Sequence, residues 1–477
     1  MSRPSLLAGP LSEDPVFGQP IAALQAAMAA GSLSAEELVR CYLARIAAHD
    51  QSGPALNAVL ALNGRALDEA AARDGERKRG SVRGPLHGIP ILFKDNIDTA
   101  GMPTTAGSLA LAQRRPPRDA DVVRRLREAG AIVLGKTTLH ELACGITNVS
   151  SLSGRTRNAY DAGRVPGGSS GGSAVAVASS FAAAAIGSDT SGSIRIPAAF
   201  NQVWGLRPTA GRCSTIGVVP LSPTMDTVGP MARTVEDLSL LWSAMADPAG
   251  APDDGRTPGG RWRIGTLETL FGKTADERDV SVQVRAALGQ WSSCDACVSP
   301  VGLALDDERL IKANVTAYEF RDALKACLRD ARLVVSSLAD ILDGGYPHAE
   351  VLAILRQREA QRDSGGRFTA LEHANGLRGE VLAALDSLGL DLLAYPSMRR
   401  GPVLLGEAQS GGNGLLAAVT GLPALSVPVG FSASGVPAGL ELLGPPGSEE
   451  MLLRAGSCLT RALQQGISPR RRPGPPG

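Results

Sequence analysis

The amino-acid sequence predicts an α/β fold, and three features of the chain support that prediction. Apolar runs of strand length occur at residues 89–93, 131–134 and 182–186. Segments with helical periodicity, such as residues 121–129, lie between them. This alternation of strands and helices is typical of an α/β domain. Glycine and serine are concentrated between residues 154 and 193, which is where we look for chemistry.

The N-terminal part of the chain is predicted to be mainly helical. Residues 21–50 have the pattern of two helices, and Ser34 with Glu37 forms the capping-box signature that opens the second. Residues 55–62 alternate weakly between apolar and polar, as a strand does. Residues 63–79 then have the pattern of an amphipathic, charged helix.

The C-terminal half predicts an excursion from the core followed by a return to it. Residues 250–390 are mainly helical by pattern. Strand-like sequence returns at residues 390–395 and 424–429, and a final helix starts near Ser448. We therefore expect both ends of the chain to share one core, in a single domain over residues 1–470.

Composition and charge limit the functional classes. The chain has 477 residues, 44% hydrophobic and 20% charged, with a formal net charge of +1, which fits a soluble globular protein without an electrostatic surface for nucleic acid. Residues 1–18 lack the pattern of a signal peptide. The longest apolar run, residues 174–187, is too short to span a bilayer. We expect a cytoplasmic protein with no membrane partner, and a disordered tail at residues 471–477, where Arg, Pro and Gly dominate.

Cysteine and histidine usage argues against a disulfide framework or a metal centre. The seven cysteines are odd in number and scattered, which favours reduced thiols. Cys294 and Cys297 have C-x-x-C spacing, but no second pair or nearby histidine completes a tetrahedral site, and their role stays open. None of the five histidines lies two or four residues from another. We expect no metal and no cofactor.

Two short motifs suggest functions that their context does not favour. Residues 130–137 satisfy the Walker A pattern, but the interior Ala-Ile-Val-Leu is typical of a buried strand and not of a phosphate loop. Residues 167–171 match the G-x-S-x-G nucleophile elbow, which needs a preceding strand and a later histidine. Loop-like sequence precedes them, although His348 and His373 remain as candidate partners.

A serine- and glycine-rich constellation is the stronger candidate site. Residues 167–173 and 187–195 combine hydroxyl groups with glycines that let backbone N–H groups approach a ligand. They flank one apolar helix and strand, so they can meet in space. Lys94 directly follows the strand at residues 89–93, where a buried amine is costly unless it is neutral or hydrogen-bonded. The alternative interpretation is a glycine-rich connection with a tight turn.

The same blocks resemble the amidase signature family. Residues 84–233 carry the match, through Gly-Ile-Pro-Ile-Leu-Phe-Lys-Asp-Asn at 88–96, the two Gly/Ser segments, and Gly-Leu-Arg-Pro-Thr-Ala-Gly-Arg at 205–212. Residues 420–428 and 439–444 are similar to the closing strands of the family. The resemblance implies one domain with a large twisted mixed β-sheet surrounded by helices, no cofactor, and a monomer or homodimer.

Residue by residue, the resemblance implies a Ser-Ser-Lys triad. Ser193 matches the acylated nucleophile, Ser169 the bridging serine on a cis peptide bond, and Lys94 the base. Serine is a poor nucleophile until a base removes its proton, and neutral lysine serves as that base if burial lowers its pKa. Ser169 would relay the proton from Ser193 to Lys94 and later return it to the departing amine.

The resemblance also implies groups that support the triad. Four consecutive backbone N–H groups would form the oxyanion hole, those of Thr190, Ser191, Gly192 and Ser193. Ser191 departs from the glycine usual in the family, and a positive φ there would strain a serine mildly. Ser170, Asp189 and Arg195 are interpreted as residues around the triad, with Arg195 a candidate partner of Asp189.

These features predict a serine amidohydrolase acting on carbon–nitrogen bonds other than peptide bonds. It would hydrolyse a small or aryl amide to acid and amine through a Ser193 acyl-enzyme. Anilides, esters and carbamates (urethanes) need the same acylation chemistry and stay open. Residues 144–151 and the excursion at 310–410 are expected to wall the substrate pocket, but they do not identify the small-molecule amide-type substrate.

The alternative is the glutaminase (A) subunit of a tRNA-dependent amidotransferase. Family members of that kind carry a Tyr-rich segment after the signature block. Residues 310–362 contain only Tyr318 and Tyr346, and no basic surface for tRNA is evident from charge. A catalytically inactive homologue is disfavoured because all three triad residues are present.

Overall fold

The computed structural model describes residues 16–247, 260–329 and 333–466. Its strands are, in chain order, β1 (Val59–Leu62), β2 (Pro90–Lys94), β3 (Ile132–Thr137), β4 (Val149–Ser150), β5 (Gly154–Arg155), β6 (Ala184–Asp189), β7 (Trp204–Arg207), β8 (Thr227–Ala232), β9 (Trp262–Thr266), β10 (Ala296–Pro300), β11 (Leu392–Pro396), β12 (Ala424–Phe431) and β13 (Pro437–Leu443).

The helices alternate with these strands along the chain. They are α1 (Ile21–Ala29), α2 (Ala35–His49), α3 (Ala66–Lys78), α4 (Asp121–Glu128), α5 (Gly171–Ala178), α6 (Arg195–Phe200), α7 (Val235–Met245), α8 (Ala275–Cys294), α9 (Asp307–Lys312), α10 (Thr316–Leu328), α11 (Leu338–Asp343), α12 (Leu352–Ala360), α13 (Ser364–Ser387), α14 (Leu415–Thr420) and α15 (Glu449–Gly466).

One large mixed sheet forms the centre of the described structure. It has eleven strands in the order β1-β3-β2-β6-β8-β7-β12-β13-β11-β9-β10, and β4 pairs separately with β5. β2 pairs in parallel with both β3 and β6, whereas β6 and β8 are antiparallel. All residues of β2, β3 and β6 are buried, which is why their sequences are nearly continuous apolar runs. The predicted α/β fold with a large mixed sheet surrounded by helices is confirmed.

One buried apolar cluster links the N-terminal, central and C-terminal parts of the described structure. It extends from Val16 to Ala462 and includes residues from β2, β6 and β12. Burial of apolar surface of this kind is the main favourable term in folding. The organisation of residues 1–470 as a single domain stays a prediction.

The N-terminal elements follow the sequence pattern closely, with one shortened strand. The Ser34 hydroxyl accepts from the Glu37 N–H at 3.1 Å, and the Glu37 carboxylate accepts from the Ser34 N–H at 2.8 Å, so the predicted capping box is present. The strand predicted at 55–62 begins only at Val59, because Ala55 and Asn57 have φ of 51° and 52°, outside the extended region.

The excursion is less purely helical than predicted. It contains β9 and β10, which pair in parallel with each other, and β9 also pairs with β11 at one edge of the sheet. Each has five residues, and β10 is largely exposed, so neither produces a long apolar run. The predicted disordered tail at residues 471–477 lies outside the described residues.

The Walker A match falls on β3 and not on a phosphate loop. Lys136 is fully buried within that strand, where its ammonium donates to the carbonyl of Ile97 at 2.8 Å and to the Thr104 hydroxyl at 2.9 Å. It also pairs with Asp95 at 3.2 Å. The strand interpretation of this segment is confirmed, and its lysine holds the loop that follows β2.

None of the helices in the described ranges is both long and apolar enough to cross a membrane.

Candidate active site

The candidate site lies at the carboxyl edge of the parallel strands β2 and β6. Lys94 is the last residue of β2, and Ser188 with Asp189 ends β6. Because β2 and β6 are parallel neighbours, these residues leave the sheet at the same edge, the usual location of sites in α/β folds. Ser169 lies in the loop before α5, and Ser193 in the turn between β6 and α6. The sequence-predicted residues therefore converge on one edge.

Lys94 is buried among hydroxyl groups. Its Nζ lies 2.7 Å from Ser169 Oγ, 2.8 Å from Ser188 Oγ and 3.3 Å from the carbonyl oxygen of Ser188. Burial lowers the pKa of Lys94 to about 7, against the opposing effect of the Asp189 and Asp226 carboxylates. The amine is therefore divided between its charged and neutral forms near neutral pH, as a general base must be.

The loop that carries Ser169 is tied to the turn that carries Ser193. The peptide bond between Gly168 and Ser169 is cis, as the resemblance implies. The N–H of Ser170 donates to the carbonyl of Ser193 at 3.0 Å, and the Ser170 hydroxyl donates to the carbonyl of Ser188 at 3.0 Å. Lys94 and Ser169 have no exposed surface, whereas Ser193 keeps 5% exposure. Of the three, Ser193 is therefore the one with surface open to solvent.

Asp189 anchors the turn between β6 and α6. Its carboxylate accepts from the N–H of Gly192 at 2.9 Å and from that of Ile194 at 3.0 Å. It also pairs with Arg195 at 3.0 Å and Arg207 at 2.8 Å. Burial alone would raise the pKa of Asp189, but the two guanidinium groups hold it well below its usual range. The structure contains the expected Asp189–Arg195 pair and adds Arg207 to it.

The four expected oxyanion donors are not equivalent in the structure. The N–H of Gly192 already donates to Asp189, so this group is not available to a substrate oxyanion. In the described part of the chain, the N–H groups of Thr190, Ser191 and Ser193 donate to no other protein group. Gly192 has a positive φ of 110°, and Ser191 is not among the residues with positive φ, so the serine at that position is unstrained.

Several groups that contact this turn or its partner Arg195 come from strands distant in sequence and were not predicted. The Thr190 hydroxyl donates to Asp226 at 2.5 Å, and burial raises the pKa of Asp226 to about 6. Glu441 of β13 is buried and accepts from Arg195 and from the Tyr395 hydroxyl, the latter at 2.8 Å. The sequence did place Asp226 and Glu441 within segments that resemble the family, residues 84–233 and 439–444, and Tyr395 within the predicted strand at 390–395.

The histidine-based elbow is not supported by the geometry. The residues before Ser169 form a loop and not a strand. His348 donates its backbone N–H to Glu141 at 2.9 Å, and His373 lies on the exposed side of α13. His140 is closer, since its backbone N–H donates to the carbonyl of Ser169 at 3.1 Å, but burial lowers the pKa of its ring to about 3. The basic side chain bonded to Ser169 is Lys94.

No metal site is apparent in the residues that the structure covers. Within them, no group of three or more His, Cys, Asp or Glu side chains is arranged to hold an ion. Cys294 at the end of α8 and Cys297 in β10 are both exposed, and neither forms a disulfide bond. The role of this pair stays open.

Comparison with known proteins shows which proteins the chain is similar to. A family model described as Amidase matches residues 37–453. The chain is 42% identical over 320 residues to the glutamyl-tRNA(Gln) amidotransferase (A) subunit of Cupriavidus taiwanensis, a stretch covering 62% of each chain. It is 43% identical over 281 residues to the same subunit of Halorhodospira halophila, covering 56% of this chain and 57% of that one. The chain thus spans about three fifths of the length of these curated relatives.

Likeness to a solved structure extends further along the chain. The peptide amidase from Stenotrophomonas maltophilia superposes with a TM-score of 0.85 at 39% sequence identity. That superposition covers 96% of this chain and 99% of the peptide amidase.

Proposed function

The chain belongs to the amidase family, whose members hydrolyse carbon–nitrogen bonds, and on that premise we propose that it is a serine amidohydrolase with Ser193 as nucleophile. One observation supports the proposal more strongly than the others. The amine of Lys94 lies 2.7 Å from the Ser169 hydroxyl, and the loop of Ser169 is bonded to the turn of Ser193. A buried lysine with a pKa of about 7 at that position is suited to accept a proton from serine.

The proposed reaction begins with proton transfer from Ser193 through Ser169 to neutral Lys94. The Ser193 oxygen attacks the amide carbonyl, and the carbonyl oxygen becomes an oxyanion. The N–H groups of Thr190, Ser191 and Ser193 are the donors left to stabilise it, and such a donor contributes about 3–4 kcal/mol to the barrier. The tetrahedral intermediate collapses with cleavage of the carbon–nitrogen bond, and Lys94 returns the proton to the amine.

Hydrolysis of the acyl-enzyme completes the cycle. A water molecule gives a proton to Lys94 through Ser169 and attacks the Ser193 ester. Collapse of the second intermediate releases the acid and restores the Ser193 hydroxyl. The proton balance is closed, because each proton taken up by Lys94 leaves on the amine or returns to Ser193.

For the substrate, we propose a small or aryl amide cleaved by the chain acting without a partner protein. The likeness to the peptide amidase supports this, because it covers 96% of this chain, whereas the identity to the amidotransferase subunits covers at most 62% in the two cases described above. An amidated peptide is a further acyl donor to test, given the name of that neighbour. A cytoplasmic location, a monomer or homodimer, and the absence of membrane or nucleic-acid partners belong to the same proposal.

The glutaminase subunit of an amidotransferase is the second candidate. The observation that favours it is the 42% identity to the subunit from Cupriavidus taiwanensis. In that case the acyl donor would be glutamine and the ammonia would pass to another subunit. Substrate choice separates the two proposals.

The test is amine release from a panel of substrates. The panel contains primary amides, anilides, esters, carbamates, an amidated dipeptide and glutamine. Ser193→Ala should lower turnover at least about a thousandfold. Ser243→Ala, which removes a serine hydroxyl on the exposed face of α7, should leave turnover unchanged. Full activity of Ser193→Ala on every cleaved substrate would overturn the assignment, and activity on glutamine alone would favour the amidotransferase subunit.

A further inference from the structure

Asp226 lies opposite the catalytic turn because of the register of two antiparallel strands. The pairing of β6 with β8 ends at Asp189 and Thr227. The next residues outward, Thr190 and Asp226, therefore face each other beyond the last pair. The Thr190 hydroxyl donates to Asp226 Oδ1 at 2.5 Å, and Thr190 itself is only 2% exposed. A charge-assisted hydrogen bond thus continues the pairing up to the turn that carries Ser193.

The second oxygen of the same carboxylate holds a loop. Asp226 Oδ2 accepts from the N–H of Leu221 at 2.8 Å and from that of Ser222 at 3.0 Å. The backbone N–H of Asp226 donates to the carbonyl of Ser222 at 2.8 Å, which closes the loop on itself. Asp226 therefore connects the loop at 221–226 to Thr190 through two different oxygens.

A second carboxylate holds that loop from the opposite side. Glu319 of α10 is 8% exposed and accepts from the Ser222 hydroxyl at 2.6 Å and from the Thr224 hydroxyl at 2.5 Å. Arg367 of α13 pairs with Glu319 at 2.7 Å. The helical excursion thus reaches the catalytic turn through a continuous series of bonds that ends at Thr190.

We propose that Asp226 is a positioning residue for acyl transfer, which holds the Thr190 hydroxyl and so fixes the backbone from Thr190 to Ser193. Asp189 holds the later part of the same turn, through Gly192 and Ile194. The earlier part, which carries two of the three N–H groups proposed for the oxyanion, those of Thr190 and Ser191, is held by Asp226. This inference rests on the proposed function, because it assigns the turn a role only if Ser193 is acylated.

The chain offers a matched set of variants for this bond. Thr190→Val keeps the shape of the side chain and removes the hydroxyl, whereas Thr190→Ser keeps the hydroxyl. Thr227→Val is the control. Thr227 directly follows Asp226 in the chain, and its buried hydroxyl has no hydrogen-bond partner in the described structure. All three variants change one small buried side chain near the same turn.

Steady-state kinetics on the best amide substrate tests the role. Thr190→Val should lower kcat about ten- to a hundredfold, the usual consequence of misplacing a reacting group by about 1 Å, with KM changed less than about threefold. Thr190→Ser, which keeps the hydroxyl, should recover most of the kcat that Thr190→Val loses, and Thr227→Val should stay within about threefold of wild-type kcat. Asp226→Ala combined with Thr190→Val should be no slower than Asp226→Ala alone, since Asp226 is the hydrogen-bond partner of the Thr190 hydroxyl.

Several results would overturn the inference. Wild-type kcat in Thr190→Val would do so, as would an equal loss in Thr227→Val, which would indicate a general effect of packing. If Thr190→Val does not fold, Glu319→Gln gives a more distant test, with an expected loss of about three- to tenfold in kcat at constant KM. Unchanged kcat there contradicts the proposal. Ser193→Ala in the same assay tests the proposed function separately. Full activity in that variant would refute the role of Ser193 as nucleophile, whatever the Thr190 variants show.

Discussion

Acidification should inactivate the enzyme by protonating Lys94. Burial lowers the pKa of this amine to about 7, while the carboxylates of Asp189 and Asp226 partly oppose the shift. Only the neutral amine accepts a proton from Ser169, and the neutral fraction grows as the pH rises. Activity should therefore be present above pH 7 and be lost as the pH falls below it.

The size of the effect follows from the pKa. With a pKa of about 7, the neutral fraction is about 50% at pH 7, about 9% at pH 6 and about 1% at pH 5. The ratio kcat/KM should then fall about tenfold per unit below pH 6 and level off above pH 8. An exposed lysine, with a pKa of about 10.4, would instead give a rate that still rises at pH 9.

The assay is kcat/KM for an uncharged amide from pH 5 to pH 9, since this ratio reports groups of the free enzyme. Asp226 is a competing source of an acid limb, because burial raises its pKa to about 6. Asp226→Asn separates the two. In the wild type, the Asp226 carboxylate raises the pKa of Lys94. The Asp226→Asn variant should therefore still lose activity as the pH falls, with the midpoint of that loss at a lower pH. A limb abolished by Asp226→Asn, or a flat profile in the wild type, would refute the reasoning.

Two further predictions concern stability, each measured by urea unfolding. Arg195→Met should lower the free energy of unfolding by about 3–5 kcal/mol, because it removes a fully buried cation shared by Asp189 and Glu441. Arg124→Met, which removes an exposed ion pair, should leave the free energy of unfolding nearly unchanged, and a loss equal to that of Arg195→Met would contradict the account. Ser34→Ala should cost about 1 kcal/mol through the lost cap of α2 without changing kcat, whereas an unchanged unfolding midpoint would contradict the role of that cap.

The central strands were predictable because burial on both faces leaves a clear mark in sequence. The runs at 89–93 and 182–186 contain few polar residues, and they correspond to Pro90–Lys94 and Ala184–Asp189. The last two strands of the sheet, Trp262–Thr266 and the edge strand Ala296–Pro300, were missed because they are short and, in the second case, largely exposed. An edge strand is specified by its neighbour as much as by its own pattern.

The local part of the site was also predictable, and its long-range part was not. Lys94, Ser169 and Ser193 stand out because each lies in a block of unusual local composition. Asp226 and Glu441 carry no such mark. The register of β6 with β8 brings Asp226 beside Thr190, and the packing of α6 against β13 brings Glu441 beside Arg195. Pairing between strands far apart in sequence depends on the whole sheet and is not encoded in any short segment.

The sequence also does not show which hydrogen-bond partner an individual backbone group has. The N–H of Gly192 was expected to face a substrate, but the carboxylate of Asp189 accepts it at 2.9 Å. A glycine in a hydroxyl-rich turn indicates a close approach of the backbone to some partner, and the sequence does not reveal whether that partner is a ligand or another part of the chain.

Location of the acyl group during turnover tests the central claim most directly. An amide or ester substrate is mixed with the enzyme, the reaction is stopped in acid, and the protein is digested with trypsin and mapped by mass spectrometry. Ser169 and Ser193 lie on one tryptic peptide, residues 165–195, so fragmentation within that peptide is required. The account predicts an acyl group on Ser193, absent in Ser193→Ala. An acyl group on Ser169, or turnover that leaves no acylated serine at any quench time, would contradict it.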